Sequence, residues 1–259
     1  MPSDTHRQAT AAFQSEFARQ LGCETSVFAA PGLTICERPA DGREPHLVIL
    51  AECGLGTVVS TKAPELSPWL HERGAALPYH FRVFQPSFLE SLAAEAARLG
   101  HERARTHGST MGLVLAEELP VPPLPGDLRL VELTPDEVLA ERPSEVFDNA
   151  LLDPDERPEN LARFRTAFGV KDSTGRLLGV SGVWDQYPGI DEIGVDVLRE
   201  ARGQGLARSL TIHATRWIRH QGRWPIYTAG ISNLRSLNNG MTCGFRPAWM
   251  ITVVYVPLE

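Results

Sequence analysis

Two glycines separated by one residue, Gly203 and Gly205, stand where an alternating apolar stretch gives way to a helical pattern. Upstream, Ile193, Val195 and Val197 alternate with other residues, which predicts a strand. Downstream, the apolar residues have helical spacing: they are Leu206, Ala207, Leu210, Ala214, Trp217 and Ile218. The N-terminus of a helix has free N–H groups and a positive dipole end, so this turn could bind an anion, most often a phosphate.

Three kinds of phosphate-binding loop compete for this stretch. A Walker loop requires a lysine, and no lysine is near. A dinucleotide fingerprint requires a small residue where Arg208 stands, and the bulk of arginine opposes close packing of helix on strand. The third kind has the pattern [QR]-x-x-G-x-[GA], and Arg202-Gly203-Gln204-Gly205-Leu206-Ala207 matches it at every place. In this the chain resembles the GCN5-related N-acetyltransferases, the GNAT superfamily, whose members bind a pyrophosphate with this signature.

A second stretch, "NLRSLNNGMTCGF", resembles a later motif of the same family. That motif has an asparagine, a small residue three places on, and Gly-Phe closing a helix; here these are Asn233, Ser236, Gly244 and Phe245. The resemblance covers about residues 128–257, which is one domain of ordinary size, and does not reach the first half of the chain.

The resemblance implies that acetyl-CoA binds where two neighbouring parallel strands splay apart, the strand that ends at Val197 and "PIYTAGIS". The residues it implies for the pantetheine arm are Val195, Asp196 and Val197. Those it implies for the pyrophosphate are Arg202, Gly203, Gln204, Gly205, Leu206, Ala207 and Arg208, and Asn233 and Ser236 are implied to contact the cofactor from the last helix. Charge favours this layout, because residues 197–223 hold six arginines and one acid.

For the chemistry, the resemblance implies direct attack of an amine on the thioester in a ternary complex. A base is useful because a free amine is mostly protonated near neutral pH. The candidates are Asp191 and Glu192 at the strand start, and Asp196, which shares a strand face with Glu192. The oxyanion donor implied by the family is a strand amide, here that of Val195 or Val197.

One position departs from the family pattern. Many members carry a tyrosine seven residues after the asparagine, placed to protonate the departing thiolate, and this chain has Gly240 there. Water, Cys243, Tyr227 or Tyr255 would have to supply the proton, unless the step needs no dedicated acid. The glycine also leaves open a different class of function, a catalytically silent sensor that binds acyl-CoA.

The acceptor side is implied to be lined by the first helices of the domain. From Glu132 to Glu159 the chain holds ten acids and two arginines, which would attract a cationic amine of a small molecule or peptide, although a solvated acidic helix face fits equally well. We expect Asp148, Trp184 and Tyr187 to bind the acceptor.

The predicted elements place these residues in an α/β (α+β) protein. Four consecutive strands with a late helix differ from the regular alternation of a doubly wound fold. We therefore expect a GNAT domain over 128–259, with a mixed, mostly antiparallel sheet splayed at the cofactor cleft. A proline-rich linker over 117–127 follows an N-terminal α/β domain over 1–116 that lacks a catalytic motif. We expect this N-terminal domain to bind no coenzyme A, and to close the acceptor side or form a homodimer contact.

Composition limits the remaining classes. A net charge of −7 argues against general nucleic-acid binding, and the longest apolar run is too short to cross a bilayer. The N-terminus shows no signal-peptide pattern, and the four cysteines lack metal-ligand spacing, so we predict a cytoplasmic protein with reduced thiols and no metal. The predicted function is acetyl-CoA-dependent N-acetyl transfer to a primary amine.

Overall fold

The computed structural model describes residues 2–39, 46–141, 147–151 and 163–257. Its helices are α1 (Asp4–Leu21), α2 (Ser67–Ala75), α3 (Pro86–Arg98), α4 (Pro135–Glu141), α5 (Asp148–Leu151), α6 (Leu206–His220) and α7 (Leu234–Thr242). None of these helices has both the length and the apolar character that crossing a bilayer demands. Its strands are β1 (Gly32–Glu37), β2 (Val48–Cys53), β3 (Gly56–Thr61), β4 (Arg105–Thr106), β5 (Thr110–Leu115), β6 (Arg129–Glu132), β7 (Phe164–Lys171), β8 (Leu177–Tyr187), β9 (Ile190–Val197), β10 (Trp224–Gly230) and β11 (Phe245–Tyr255). The predicted α/β class, with parallel and antiparallel pairs together, is confirmed.

The described chain divides into two compact units. The first contains Leu113–Thr228 and Asn233–Arg246 with the N-terminal residues up to Ala9, and the second contains Thr10–Gly112, Ala229–Ser232 and the chain from Pro247 onward. The chain therefore passes between the units within α1, β5, β10 and β11, and also between Ser232 and Asn233. The domain limits given above at 116 and 128 stay a prediction.

In the first unit, four strands form an antiparallel series and the fifth strand is parallel to its neighbour. β6 pairs with β7, β7 with β8 and β8 with β9, all antiparallel, and β10 then runs parallel to β9. The parallel pair arises because α6 lies between β9 and β10 in the chain and returns it in the same direction. The helix that joins the two parallel strands, α6, thus stands at the place where the sequence predicts the cofactor cleft.

Helix α6 contacts β7, β8 and β9 through one apolar stripe. Its buried residues include Leu206, Leu210, Ala214 and Ile218, which recur every four positions and so lie on one side of the helix. The expected amphipathic helix is confirmed, and its N-terminus is fixed against the sheet by burial of the first residue, Leu206.

The proline-rich stretch over 117–127 lies in the first unit and contacts α6. Arg219 Nε is 2.9 Å from Glu118 Oε1, and the Ser209 hydroxyl donates to the Pro122 carbonyl at 3.4 Å. These contacts fix this stretch along the helix surface.

In the second unit, β1 pairs parallel with β3, β3 antiparallel with β2, and β2 antiparallel with β11. The aromatic side chains of α1 pack on β11, where Phe13 stacks on Trp249 with ring centroids 3.8 Å apart. Within residues 53–60, Gly54 and Leu55 form the tight β2–β3 connection, and β3 continues past Gly56 as predicted, with no helix beginning there. The local reason for phosphate binding, a free helix N-terminus, is therefore missing at this turn.

Candidate active site

The sheet of the first unit opens into a fork between β9 and β10. The two strands pair only at Ile190 with Trp224, Asp191 with Pro225, and Glu192 with Ile226. Both strands are fully described and continue beyond this point, β9 to Val197, without further pairing to each other. The far part of β9 therefore offers a free main-chain edge on its β10 side.

The direction of the main-chain groups along that edge follows from one hydrogen bond. The Leu198 amide donates to the Leu178 carbonyl of β8 at 2.9 Å. Because main-chain groups alternate in direction along a strand, the amides of Val195 and Val197 point away from β8, into the fork. The Arg202 guanidinium confirms this direction, since its Nε donates to the Val197 carbonyl at 3.1 Å. These are the two amides that the resemblance implies as oxyanion donors.

The loop from β9 to α6 presents unpaired helix N–H groups to solvent. Gly203 and Gly205 have φ of 81° and 80°, in the left-handed region, and a Cβ at either would meet nothing within 4 Å. Gly205 is the N-cap of α6 and has no side chain to cap it, and the first helical bond runs from the Ser209 amide to the Gly205 carbonyl at 3.1 Å. The amides of the first turn, residues 206–208, thus remain free for an anion.

Four of the six arginines of residues 197–223 fall into two groups. Arg219 stacks on Trp224 at 3.7 Å from the ring centroid, and Arg223 is held by two carboxylates, so these two arginines stabilise the fold. Arg202 and Arg208 are exposed on the glycine loop and the first turn of α6. Part of the predicted positive charge therefore lies where the resemblance implies a pyrophosphate, and part does not.

Asp191, one of the three candidate bases, is inaccessible. Its side chain has 0% exposure, and it forms ion pairs with Arg223 Nη2 at 2.8 Å and Arg165 Nε at 3.3 Å. Burial raises the pKa of this carboxyl, and the two guanidinium groups oppose that shift. Such a buried, doubly paired carboxylate holds the strands together and has no path to a substrate.

Asp196, the second candidate, holds α5 on the sheet. Its carboxylate accepts hydrogen bonds from Asn149 Nδ2 at 2.8 Å and from the Ala150 amide at 2.9 Å. Burial raises the pKa of Asp196, and these hydrogen bonds oppose the rise. The short helix α5 can lie this close to β9 because Gly194 has no side chain. A Cβ at this position would be 1.8 Å from the Asn149 carbonyl oxygen. The side chain of Asp196 is thus engaged in positioning α5.

Glu192, the third candidate, stands at the point where the fork opens. It belongs to the last β9–β10 pair, and its carboxylate accepts a hydrogen bond from the Thr228 hydroxyl on β10. As the alternation along β9 predicts, Glu192 lies on the same strand face as Gly194 and Asp196. Of the three candidate acids, Glu192 is the one that belongs to the last β9–β10 pair, where the fork opens, and its side chain is partly exposed.

Next to Glu192 lies an aromatic pair that the sequence indicated only in part. Trp184 is directly opposite Glu192 on β8, and Phe164 is opposite Trp184 on β7. The two rings meet edge to face with centroids 4.8 Å apart, and Trp184 Nε1 donates to the Ala150 carbonyl at 3.3 Å. Phe164 was not predicted, because only the strand register brings it to Trp184.

The other two predicted acceptor residues, Tyr187 and Asp148, differ in their exposure to solvent. Tyr187 is buried, with 5% exposure, so its ring belongs to the core and does not form a pocket wall. Asp148 is exposed as the first residue of α5. The acids at positions 145, 153, 155, 156 and 159, which carry much of the predicted acidic rim, lie outside the described residues.

Helix α7 begins at the predicted asparagine. Asn233 is its N-cap, with the side-chain oxygen accepting from the Ser236 amide at 3.2 Å. The Ser236 hydroxyl is 2.9 Å from the hydroxyl of Tyr227, and Asn239 Nδ2 donates to Thr211 of α6 at 3.0 Å. The later motif therefore joins α7 both to β10 and to α6.

Two observations bear on metal and thiol chemistry. In the part of the chain that the structure describes, no three His, Cys, Asp or Glu side chains are grouped as a metal site would require. All four cysteines are free thiols, and Cys53 and Cys243 are buried.

Comparison with known proteins agrees with this geometry. Residues 130–245 match the model of the acetyltransferase (GNAT) family. The GCN5-related N-acetyltransferase from Kribbella flavida is similar in structure, with 15% identity, 96% of each chain covered and a TM-score of 0.50. A GCN5-related N-acetyltransferase-like protein from Streptococcus suis is 15% identical over 64% of this chain and 68% of its own, with a TM-score of 0.48. No curated protein matches the chain by sequence.

At such an identity the Kribbella protein shows a shared fold. The family model adds the sequence evidence, and its span contains the glycine loop, the fork and the later motif. Residues 130–245 are therefore a domain of the GNAT acetyltransferase family, with the fold of an acyltransferase.

Proposed function

We propose that the protein is an acetyl-CoA-dependent N-acetyltransferase that transfers the acetyl group to a primary amine by direct attack in a ternary complex. The observation that carries the proposal is the free edge of β9, which leads from the fork to an uncapped helix N-terminus opened by two left-handed glycines. A pantetheine arm is a chain of amides, and amides bind an unpaired strand edge. A pyrophosphate suits free N–H groups beside exposed arginines.

In this proposal the pyrophosphate binds to the loop over Arg202–Arg208, and the pantetheine follows the main chain of Val195–Val197. Arg202, whose guanidinium lies on the Val197 carbonyl, would turn to the pyrophosphate and release that carbonyl to the pantetheine. The thioester then lies near the fork, where the amide of Val195 can donate to the developing oxyanion.

Glu192 is the proposed base. It would remove the proton that the amine loses as its nitrogen attacks the thioester carbon, directly or through one water. The hydroxyl of Thr228 fixes the orientation of the Glu192 carboxylate. A positioned base of this kind contributes about a hundredfold or more in rate.

The acceptor is proposed to be a cationic amine of a small molecule or peptide. The half-buried ring of Trp184 beside Glu192, and the exposed carboxylate of Asp148, support this class. A tryptophan face attracts a cation by about 0.5–2 kcal/mol, and the carboxylates add attraction of the same sign. The cytoplasmic location and the homodimer contact stay predictions.

The competing function is a sensor that binds acyl-CoA without turnover, and Gly240 favours it. The two functions differ in one measurement: release of free thiol from acetyl-CoA, followed with a thiol reagent, in the presence of a panel of amines. The panel would hold a polyamine, an aminoglycoside and a peptide with a free N-terminus, with an alcohol of similar size as the control. Amine-dependent thiol release would support the enzyme. A raised melting temperature with acetyl-CoA but no release with any amine would support the sensor.

A further inference from the structure

The space in front of Gly240 is filled by a tyrosine from another element. A Cβ on Gly240 would lie 2.7 Å from Leu113 Cδ1 and 3.0 Å from Tyr227 Cδ1. Tyr227 follows Ile226, the last residue of β10 that pairs with β9, and its side chain is 2% exposed. The glycine on α7 is thus the residue that allows the Tyr227 ring to lie under this helix beside the fork.

The Tyr227 hydroxyl has two hydrogen-bonding neighbours on α7. Asn239 Nδ2 can only donate, and it does so to the Tyr227 oxygen over a long 3.5 Å. The Ser236 hydroxyl lies 2.9 Å from the Tyr227 hydroxyl, and either of the two can donate in this pair. When Tyr227 donates, Ser236 keeps its own O–H for another acceptor, and its side chain is partly exposed in the first turn of α7.

We propose that Ser236 and Tyr227 form a two-hydroxyl relay that protonates the thiolate of coenzyme A as it leaves. The inference rests on the proposed function. As the amine nitrogen bonds to the thioester carbon, the carbon–sulfur bond breaks and its electron pair goes to sulfur. The Ser236 proton passes to sulfur and the Tyr227 proton passes to Ser236. Tyr227 regains a proton from water as the products leave, and Glu192 returns to water the proton taken from the amine.

The protonation state of Tyr227 suits this role. Burial raises the pKa of its hydroxyl, and the hydrogen bonds to Ser236 and Asn239 oppose the rise. Tyrosine is already neutral below about pH 10, so Tyr227 carries its proton at the start of every cycle. Ser236 is the residue that would touch sulfur. Tyr227 holds Ser236 in position and replaces the proton that Ser236 gives up.

The other groups that could supply a proton are placed less well. Burial raises the pKa of the Cys243 thiol to about 12, and its sulfur lies 3.8 Å from the Arg208 carbonyl and 3.9 Å from Asn239 Oδ1. Tyr255 belongs to the second compact unit, where its ring meets His107. Cys243 and Tyr255 therefore serve as control positions for the relay.

The test measures thiol release and acetyl-CoA binding on the full chain. Tyr227→Phe and Ser236→Ala should each lower kcat about a hundredfold, the usual contribution of a general acid, while acetyl-CoA still raises the melting temperature of both variants. Because both hydroxyls act in one step, the double variant should be no slower than the slower single variant. Ser236→Thr, which keeps a hydroxyl, should restore most of the rate. Tyr255→Phe and Cys243→Ala should turn over like the parent.

Several results would overturn the relay. Parent-like turnover by Ser236→Ala refutes it, and so does parent-like turnover by Tyr227→Phe, or losses that multiply in the double variant. If Tyr227→Phe does not fold, Ser236→Ala decides, because Ser236 is partly exposed and its loss leaves the core filled. Failure of the proposed function is separately visible, since the parent chain would then bind no acetyl-CoA or release no thiol.

Discussion

A single residue, Gly205, tests whether the loop before α6 holds a pyrophosphate. It is the N-cap of α6 with φ of 80° and ψ of 5°, and open space lies where a Cβ would be. Asparagine and aspartate both tolerate left-handed backbone, and both can accept from helix N–H groups at an N-cap. Gly205→Asn and Gly205→Asp therefore form a matched pair with the same shape and backbone strain but different charge.

The size of the difference follows from Coulomb's law. A carboxylate at position 205 would lie about 5 Å from a pyrophosphate held by the amides of residues 206–208. At that distance, and even with the dielectric constant of water, each of two phosphate charges repels it by about 0.8 kcal/mol. The sum of about 1.7 kcal/mol corresponds to at least about a tenfold weaker affinity for the aspartate variant than for the asparagine variant.

The assay is calorimetric titration of acetyl-CoA into the parent and both variants, at low and at high salt. Salt shortens the range of the repulsion, so the gap between the two variants should narrow at high salt. The free variants should melt within a few degrees of each other, because their strain is shared. Equal affinity of the Asp and Asn variants at low salt would show that no pyrophosphate binds at this loop.

Three further predictions concern the base, the close approach of α5, and the first half of the chain. Glu192→Gln should lower kcat/KM about a hundredfold near neutral pH, and by less as the pH rises toward the pKa of the amine. Asp196→Asn should lower the melting temperature and leave the shape of the pH profile unchanged. The reverse pattern would make Asp196 the base. Gly194→Ala should destabilise the fold by about 1–3 kcal/mol because its Cβ overlaps the Asn149 carbonyl, while Gly230→Ala, with nothing within 4 Å, should be near neutral in the same denaturant titration. Acetyl-CoA should bind with one site per chain, and a measured stoichiometry of two would show that the first half also binds it.

The cofactor side of the site could be predicted because it depends on local sequence. A left-handed turn favours glycine, and an amphipathic stripe requires apolar residues at fixed spacing. Both requirements are visible in residues 195–218, and the structure has the strand, the loop and the helix there. The fork is implied only by the family resemblance, and in the structure the β9–β10 pairing ends at Glu192 and Ile226.

The candidate bases could not be ranked from sequence because their partners come from distant elements. Asp191 is paired with Arg223 and Arg165, which lie 32 and 26 positions away, and Asp196 binds residues of α5. Both carboxylates look like strand-end acids in the sequence. Only the folded chain shows that these two acids bind distant elements and that Glu192 lies where the fork opens.

The residue at position 240 shows how a departure from a family pattern can mislead when it is considered alone. Taken by itself, a glycine in place of a tyrosine indicates loss of a proton donor and favours a silent sensor. In the folded chain, however, the volume that a larger side chain would need at 240 is occupied by Tyr227, whose hydroxyl is bonded to Ser236. A glycine and a buried tyrosine in contact must be considered together, because a Cβ at 240 would lie 2.7 Å from Leu113 Cδ1 and 3.0 Å from Tyr227 Cδ1. Compared with the family pattern, this chain therefore has its tyrosine hydroxyl on β10 and not on α7. The glycine at position 240 then no longer argues by itself for a catalytically silent sensor.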